Sequence, residues 1–159
     1  MAQIDCPEYI AKSKLSAKKS QKVLIAEDDK VLRLMTAKLL EVSGYQVSTC
    51  DDGQKAIQLI ENNSYDLVIT DLMMPGATGI EVLRATRRTQ PRTMVIMITG
   101  SPSPQNLLEA KREGAYAYLQ KPFNLKQFLS ILQNAVEHIR TQDSYQPSNG
   151  KDYTSFSYP

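Results

Sequence analysis

Four short segments end in side chains that could act on one ligand. The apolar, β-branched run Leu67-Val68-Ile69-Thr70 stops at Asp71 and is followed by Pro75-Gly76. A buried strand of this kind delivers its carboxylate to its own carboxyl end. In an open parallel α/β sheet that end opens into the crevice where ligands sit. Val23-Leu24-Ile25-Ala26 repeats the pattern and ends in Glu27-Asp28-Asp29, Met94-Val95-Ile96-Met97-Ile98 ends at Thr99, and the segment from Tyr116 to Gln120 ends at Lys121. Like charges about 4 Å apart repel by roughly 4 kcal/mol at an effective dielectric of about 20, so gathering Glu27, Asp28 and Asp71 calls for a cation. A hard divalent ion that prefers oxygen meets that need. Magnesium fits best, because it accepts one or a few carboxylates and keeps waters that a phosphoryl oxygen can replace.

The elements that must position these groups alternate along the chain. After the first strand, Leu32, Met35 and Leu39 recur at helical spacing from about Val31 to Ser43, and Gly44 follows as a stop. Tyr45 to Cys50 reads as a strand, and the segment after Asp51-Asp52-Gly53 reads as a short helix ending near Asn62-Asn63. The central strand spans 66–71, and a helix carrying Ile80, Leu83 and Thr86 comes next. Pro104 behind Ser103 suits the first helical position after an N-cap, in a helix reaching about Arg112. A long final helix carries Leu125, Phe128, Leu129, Leu132, Val136 and Ile139 on one stripe, with His138 opposite and expected in solvent. Strands alternating with helices of this length imply βαβ units, hence a parallel sheet with helices on both faces.

Composition bounds the rest. A chain of 159 residues with 42% hydrophobic content fits one domain with tails. The formal charge of +2 is too small to imply nucleic acid without a clustered basic face. Cys6 and Cys50 lack CxxC spacing and no signal-peptide stretch precedes them, so two free thiols and a cytoplasmic location are expected. No apolar run approaches the roughly 20 residues that span a bilayer. Residues 1–21 read as a flexible Lys-rich tail, 22–140 as the folded domain, and 141–159 as a polar tail with scattered aromatics, expected to be disordered.

Residues 22–140 resemble a two-component response-regulator receiver domain. The resemblance rests on Glu27-Asp28 after the first strand, Asp71 in Asp-Leu-Met-Met-Pro-Gly-Ala-Thr-Gly, Thr99 after the fourth strand, Tyr118 on the fifth, and Lys121-Pro122. It implies a flavodoxin-like doubly wound sheet of five parallel strands in the order 2-1-3-4-5. It implies that Asp71 is the phosphoacceptor, and that Glu27, Asp28, Asp71 and the backbone carbonyl of Met73 hold Mg2+. Lys121 and Thr99 would stabilise the phosphoryl group. Thr99 and Tyr118 would be the switch, with Tyr118 turning inward on phosphorylation to reshape the face made by the fourth helix, fifth strand and fifth helix.

The expected function is that of a stand-alone receiver, since 19 residues after position 140 cannot form an output domain. Asp71 would take a phosphoryl group from a sensor histidine kinase or histidine phosphotransfer protein, and the output would be a protein contact or a phosphoryl relay, with no direct nucleic-acid or membrane partner. Two other classes are a phosphohydrolase with an aspartyl intermediate and a scaffold that never takes phosphate. The hydrolase would be expected to place an acid/base carboxylate soon after Asp71, where this chain has Leu72 and Met73. Met73 also has no group to orient a water, so a long-lived phosphorylated form is expected.

Overall fold

The computed structural model describes residues 20–144. Ten elements alternate: β1 (Lys22–Ala26), α1 (Lys30–Val42), β2 (Gln46–Cys50), α2 (Gly53–Asn62), β3 (Leu67–Asp71), α3 (Gly79–Thr89), β4 (Met94–Thr99), α4 (Pro104–Arg112), β5 (Ala117–Gln120) and α5 (Leu125–Ser144). The strands form one parallel sheet in the order β2-β1-β3-β4-β5. Strand order reverses between β1 and β3, which opens a crevice beyond their carboxyl ends.

Alternation along each strand divides the core in two. Val23, Ile25, Leu67, Ile69, Ile96 and Ile98 face Leu40 of α1 and Phe128, Leu132 and Val136 of α5. Leu24, Val68, Val95 and Met97 face Ile60 of α2, Leu83 of α3 and Ala110 of α4. β3 and β4 are buried along their whole length, as expected for central strands of a sheet covered on both sides.

Local sequence starts each helix after a strand tip. Asp29 caps α1 by accepting from the Leu32 amide, and Ser103 caps α4 by accepting from Asn106, with Pro104 in the first turn. Thr78 and Glu81 form a reciprocal capping box at α3. These caps fix where each βα loop ends.

Three expectations need correction. On α1 the buried residues are Thr36, Ala37 and Leu40, whereas Met35 is 67% exposed and Leu32 and Leu39 are half-buried. Apolar residues surround most of this helix, so periodicity alone does not choose a face; Ala37 and Leu40 are the side chains that face the sheet. On α5, Leu125 is exposed, while His138 is half-buried with its ring 5.8 Å from that of Tyr116 in an edge contact. Finally, α5 continues to Ser144, past the expected limit at 140. Of the expected N-terminal tail, Ser20 and Gln21 are described and bond to Gly44 and Gln46; residues 1–19, with Cys6, and 145–159 lie outside the described residues.

Candidate functional site

β1, β3 and β5 bring four of the expected side chains together. Asp71 is the last residue of β3 and is 7% exposed, and Glu27, one residue past β1, is 4% exposed. Lys121 follows β5 and is tied to β4 by its amide, which donates to the Thr99 carbonyl at 2.7 Å. Its ammonium lies 2.6 Å from Asp71 Oδ2 and 2.8 Å from Glu27 Oε2. Asp28 is exposed, yet Glu27, Asp28 and Asp71 each offer a carboxylate oxygen within 4.8 Å of the others. Two buried carboxylates thus share one ammonium, with a third carboxylate at the rim.

The electrostatics follow from that count. Burial pushes the Glu27 carboxyl above its ordinary value, the Asp71 charge adds to the rise, and the hydrogen bond from Lys121 opposes it. For Lys121 burial works the other way, but bonds to Asp71 and Glu27 outweigh it and leave the ammonium above its ordinary 10.5. The donor set is all hard oxygen around a surplus of negative charge, which fits a magnesium ion. Glu27, Asp28 and Asp71 are the side chains that would hold it.

The backbone orients Asp71. The Met73 amide donates to Asp71 Oδ1 at 3.1 Å, and the Leu72 amide bonds to the Ile98 carbonyl. The loop after β3 is seated against the start of α2. Gly76 has a φ of +79°, and a Cβ there would come 2.3 Å from Asp52 Oδ1; one on Gly53 would come 1.9 Å from the Ala77 carbonyl oxygen. Only glycine admits this approach.

Thr99 is fully buried and its hydroxyl accepts from the Ser101 amide at 3.1 Å. Tyr118 stands on β5 with its ring against the α2–α3–α4 side of the core, and its hydroxyl is already buried with no hydrogen-bond partner among the described residues. The inward turn expected on phosphorylation therefore starts from a half-buried side chain whose hydroxyl is already covered. Burial and the charge of Asp71 raise its phenol pKa.

Arg33 was not among the residues singled out from the sequence. Its guanidinium donates to the Glu27 carbonyl at 2.5 Å and to the Asp28 carbonyl at 3.3 Å. No sequence pattern marks an arginine that bonds to main chain. Arg33 also lines an open cleft of about 530 Å³ beside β2, with Asp51, Lys55, Gln58 and Asn62.

Residues 23–133 match the response regulator receiver domain family. The chain belongs to that family. Among curated relatives, the transcriptional regulatory protein CpxR of Escherichia coli strain K12 is 38% identical over 125 residues, which cover 79% of this chain and 53% of CpxR. PdtaR of Mycobacterium tuberculosis is 37% identical over 122 residues, covering 76% of this chain and 58% of PdtaR. This receiver chain thus spans little more than half the length of these relatives. Among solved structures, a CheY-like receiver domain from Methanospirillum hungatei JF-1 superposes with a TM-score of 0.75 at 27% identity, covering 78% of this chain and 99% of that one. The chemotaxis protein CheY4 of Vibrio cholerae gives 0.68 at 34% identity, with 74% and 99% covered. The fold class and strand order expected from the sequence are those observed.

Receiver domains are phosphoacceptor switches of two-component signalling, modified on aspartate and dependent on magnesium. Among the described residues no helix is long and apolar enough to cross a membrane.

Proposed function

We propose that this receiver takes a phosphoryl group from a partner phosphohistidine onto Asp71 and uses it to switch a protein contact or to relay it onward. The observation that carries the reading is the shared ammonium: Lys121 holds Asp71 Oδ2 and Glu27 at once. In the transfer an Asp71 carboxylate oxygen forms a bond to phosphorus as the bond from phosphorus to the donor imidazole breaks; the leaving nitrogen takes its proton from solvent. Lys121 pairs with Asp71 beforehand and with the phosphoryl oxygens afterwards, so its charge never lacks a partner. Glu27, Asp28, Asp71 and the Met73 carbonyl would hold Mg2+, which supplies charge neutralisation for an anionic donor meeting an anionic acceptor.

Exposed apolar residues support a protein donor. Val31, Leu34 and Met35 on α1, Leu125 at the start of α5 and Met73 all follow closely after pocket residues, and all are more than half exposed. For output we keep the α4–β5–α5 face, where Leu108 is 68% exposed, with Thr99 and Tyr118 as the switch. The location proposed is cytoplasmic, where both partners would be met. No turnover reaction and no direct contact of residues 22–140 with nucleic acid is included in the proposal.

Incubation with magnesium and a small phosphodonor tests it. A mass increase of one phosphoryl group is expected in the wild type and none in Asp71→Asn, with Asp51→Asn behaving as wild type. Uptake by Asp71→Asn, or by no variant even with a histidine donor, overturns the assignment.

A further inference from the structure

Arg33 belongs to α1, four residues past the cap Asp29, and side chains on a helix lean back toward its N-terminus. That direction brings the guanidinium to the loop joining β1 to α1, where it bonds the carbonyls of Glu27 and Asp28. These are consecutive peptide groups, one on each side of Asp28. Fixing both planes fixes the direction in which the Asp28 carboxylate leaves the backbone.

Asp28 is the member of the acid cluster most in need of such help. Glu27 is buried and held by Lys121 and by the Asp29 amide at 3.2 Å, and Asp71 is held by Lys121 and the Met73 amide. Asp28 is exposed, and among the hydrogen bonds of the described residues its side chain has none that would hold it. Nevertheless its carboxylate stays within 4.8 Å of the other two. The loop backbone is what keeps it there.

We propose that Arg33 is a positioning residue for magnesium, bracing the acidic loop so that Asp28 is preorganised beside Glu27 and Asp71. The inference rests on the magnesium site of the proposed function. It has a signature opposite to that of a bare charge. A guanidinium near a cation site repels the ion, so if Arg33 acted through charge alone, its neutralisation would tighten magnesium binding. If it acts by holding two carbonyls, its loss weakens binding. Residues that orient metal ligands in this indirect way typically change metal affinity by about 10- to 100-fold when replaced.

The experiment is calorimetric titration of the full chain with magnesium chloride, using wild type, Arg33→Gln, Arg33→Lys and Arg88→Gln, with thermal unfolding of each in chelator. Arg33→Lys keeps the charge but ends one atom short of Nη1, the single nitrogen that reaches both carbonyls. Arg88 is a surface arginine paired with Glu61 and serves as the control. We expect Kd for magnesium to rise about tenfold in Arg33→Gln and nearly as much in Arg33→Lys, with Arg88→Gln unchanged. An unchanged or tighter Kd in Arg33→Gln overturns the proposal, including the case where only the melting temperature falls, which is a plain structural brace. A wild type that binds no magnesium overturns the proposal together with the site. A wild type that binds magnesium and is phosphorylated on Asp71, while both Arg33 variants match it, overturns this inference alone.

Discussion

Two strands of this sheet end in neighbouring acidic residues, and the two ends behave oppositely. β1 is followed by Glu27-Asp28 near the centre of the sheet, and the edge strand β2 is followed by Asp51-Asp52. Asp51 is half-exposed and pairs with Lys55 one helical turn away at 2.7 Å, which lowers its carboxyl pKa. Asp52 caps α2, accepting from the Gln54 and Lys55 amides. Every hydrogen-bond partner of these two side chains is within four residues. At β1 the partner of Glu27 is Lys121, 94 residues away, and that ammonium is shared with Asp71. An edge strand leaves its acids to local partners and water. A strand at the order reversal forces its acid against another buried acid, and that leaves charge for a ligand to satisfy.

Removing each lysine tests the contrast most severely. Lys121→Gln leaves Glu27 and Asp71 facing each other in a buried site, and is expected to cost about 2–3 kcal/mol in urea unfolding at pH 8 with chelator present. Magnesium should return part of that loss. Lys55→Gln should produce no measurable change. Equal effects of the two would erase the distinction.

The pH dependence sharpens it. The Lys121 ammonium has a native pKa above its ordinary 10.5. Its pairing therefore contributes stability that is complete below that ordinary value and drains away as pH rises through the raised native one. Alkaline unfolding without magnesium should show a loss above pH 10.5 that is absent from Lys121→Gln. Asp52→Ala comes next, removing a helix cap for about 1 kcal/mol and leaving phosphoryl uptake intact. A kinetic effect of similar size is expected at Met73, whose side chain is 60% exposed beside Asp71. Met73→Asn should shorten the phosphorylated lifetime by about threefold to tenfold, under about 1.4 kcal/mol of barrier, as read by loss of label over time.

Much of this was legible in the sequence because it is local. The apolar runs ending in Glu27, Asp71 and Thr99 name strand tips, and Ser103-Pro104 names a helix start. Convergence of those tips was not legible from periodicity; the order 2-1-3-4-5 came from resemblance to the receiver family. Nothing in Asp51-Asp52 beside Glu27-Asp28 tells which strand lies at an edge, since that depends on pairing across the sheet. The burial of Ala37 and Leu40 rather than Met35, and the contact of His138 with Tyr116, were hidden for the same reason: the surface each helix meets is made by distant strands. Arg33 left no trace because main-chain carbonyls have no sequence identity.

The tight seating of Gly76 on Asp52 and of Gly53 on Ala77 joins the loop after β3 to the start of α2 along one flank of the crevice. Any shift of the loop after β3 would therefore disturb the beginning of α2 as well. The opposite flank, from Thr99 to Ser103, is bonded at its two ends, by the Ser101 amide to Thr99 and by the Asn106 amide to Ser103, and leaves Pro102 exposed between them. The two walls of the crevice beside Asp71 are thus unequal: one is seated glycine against neighbour, the other carries an exposed proline.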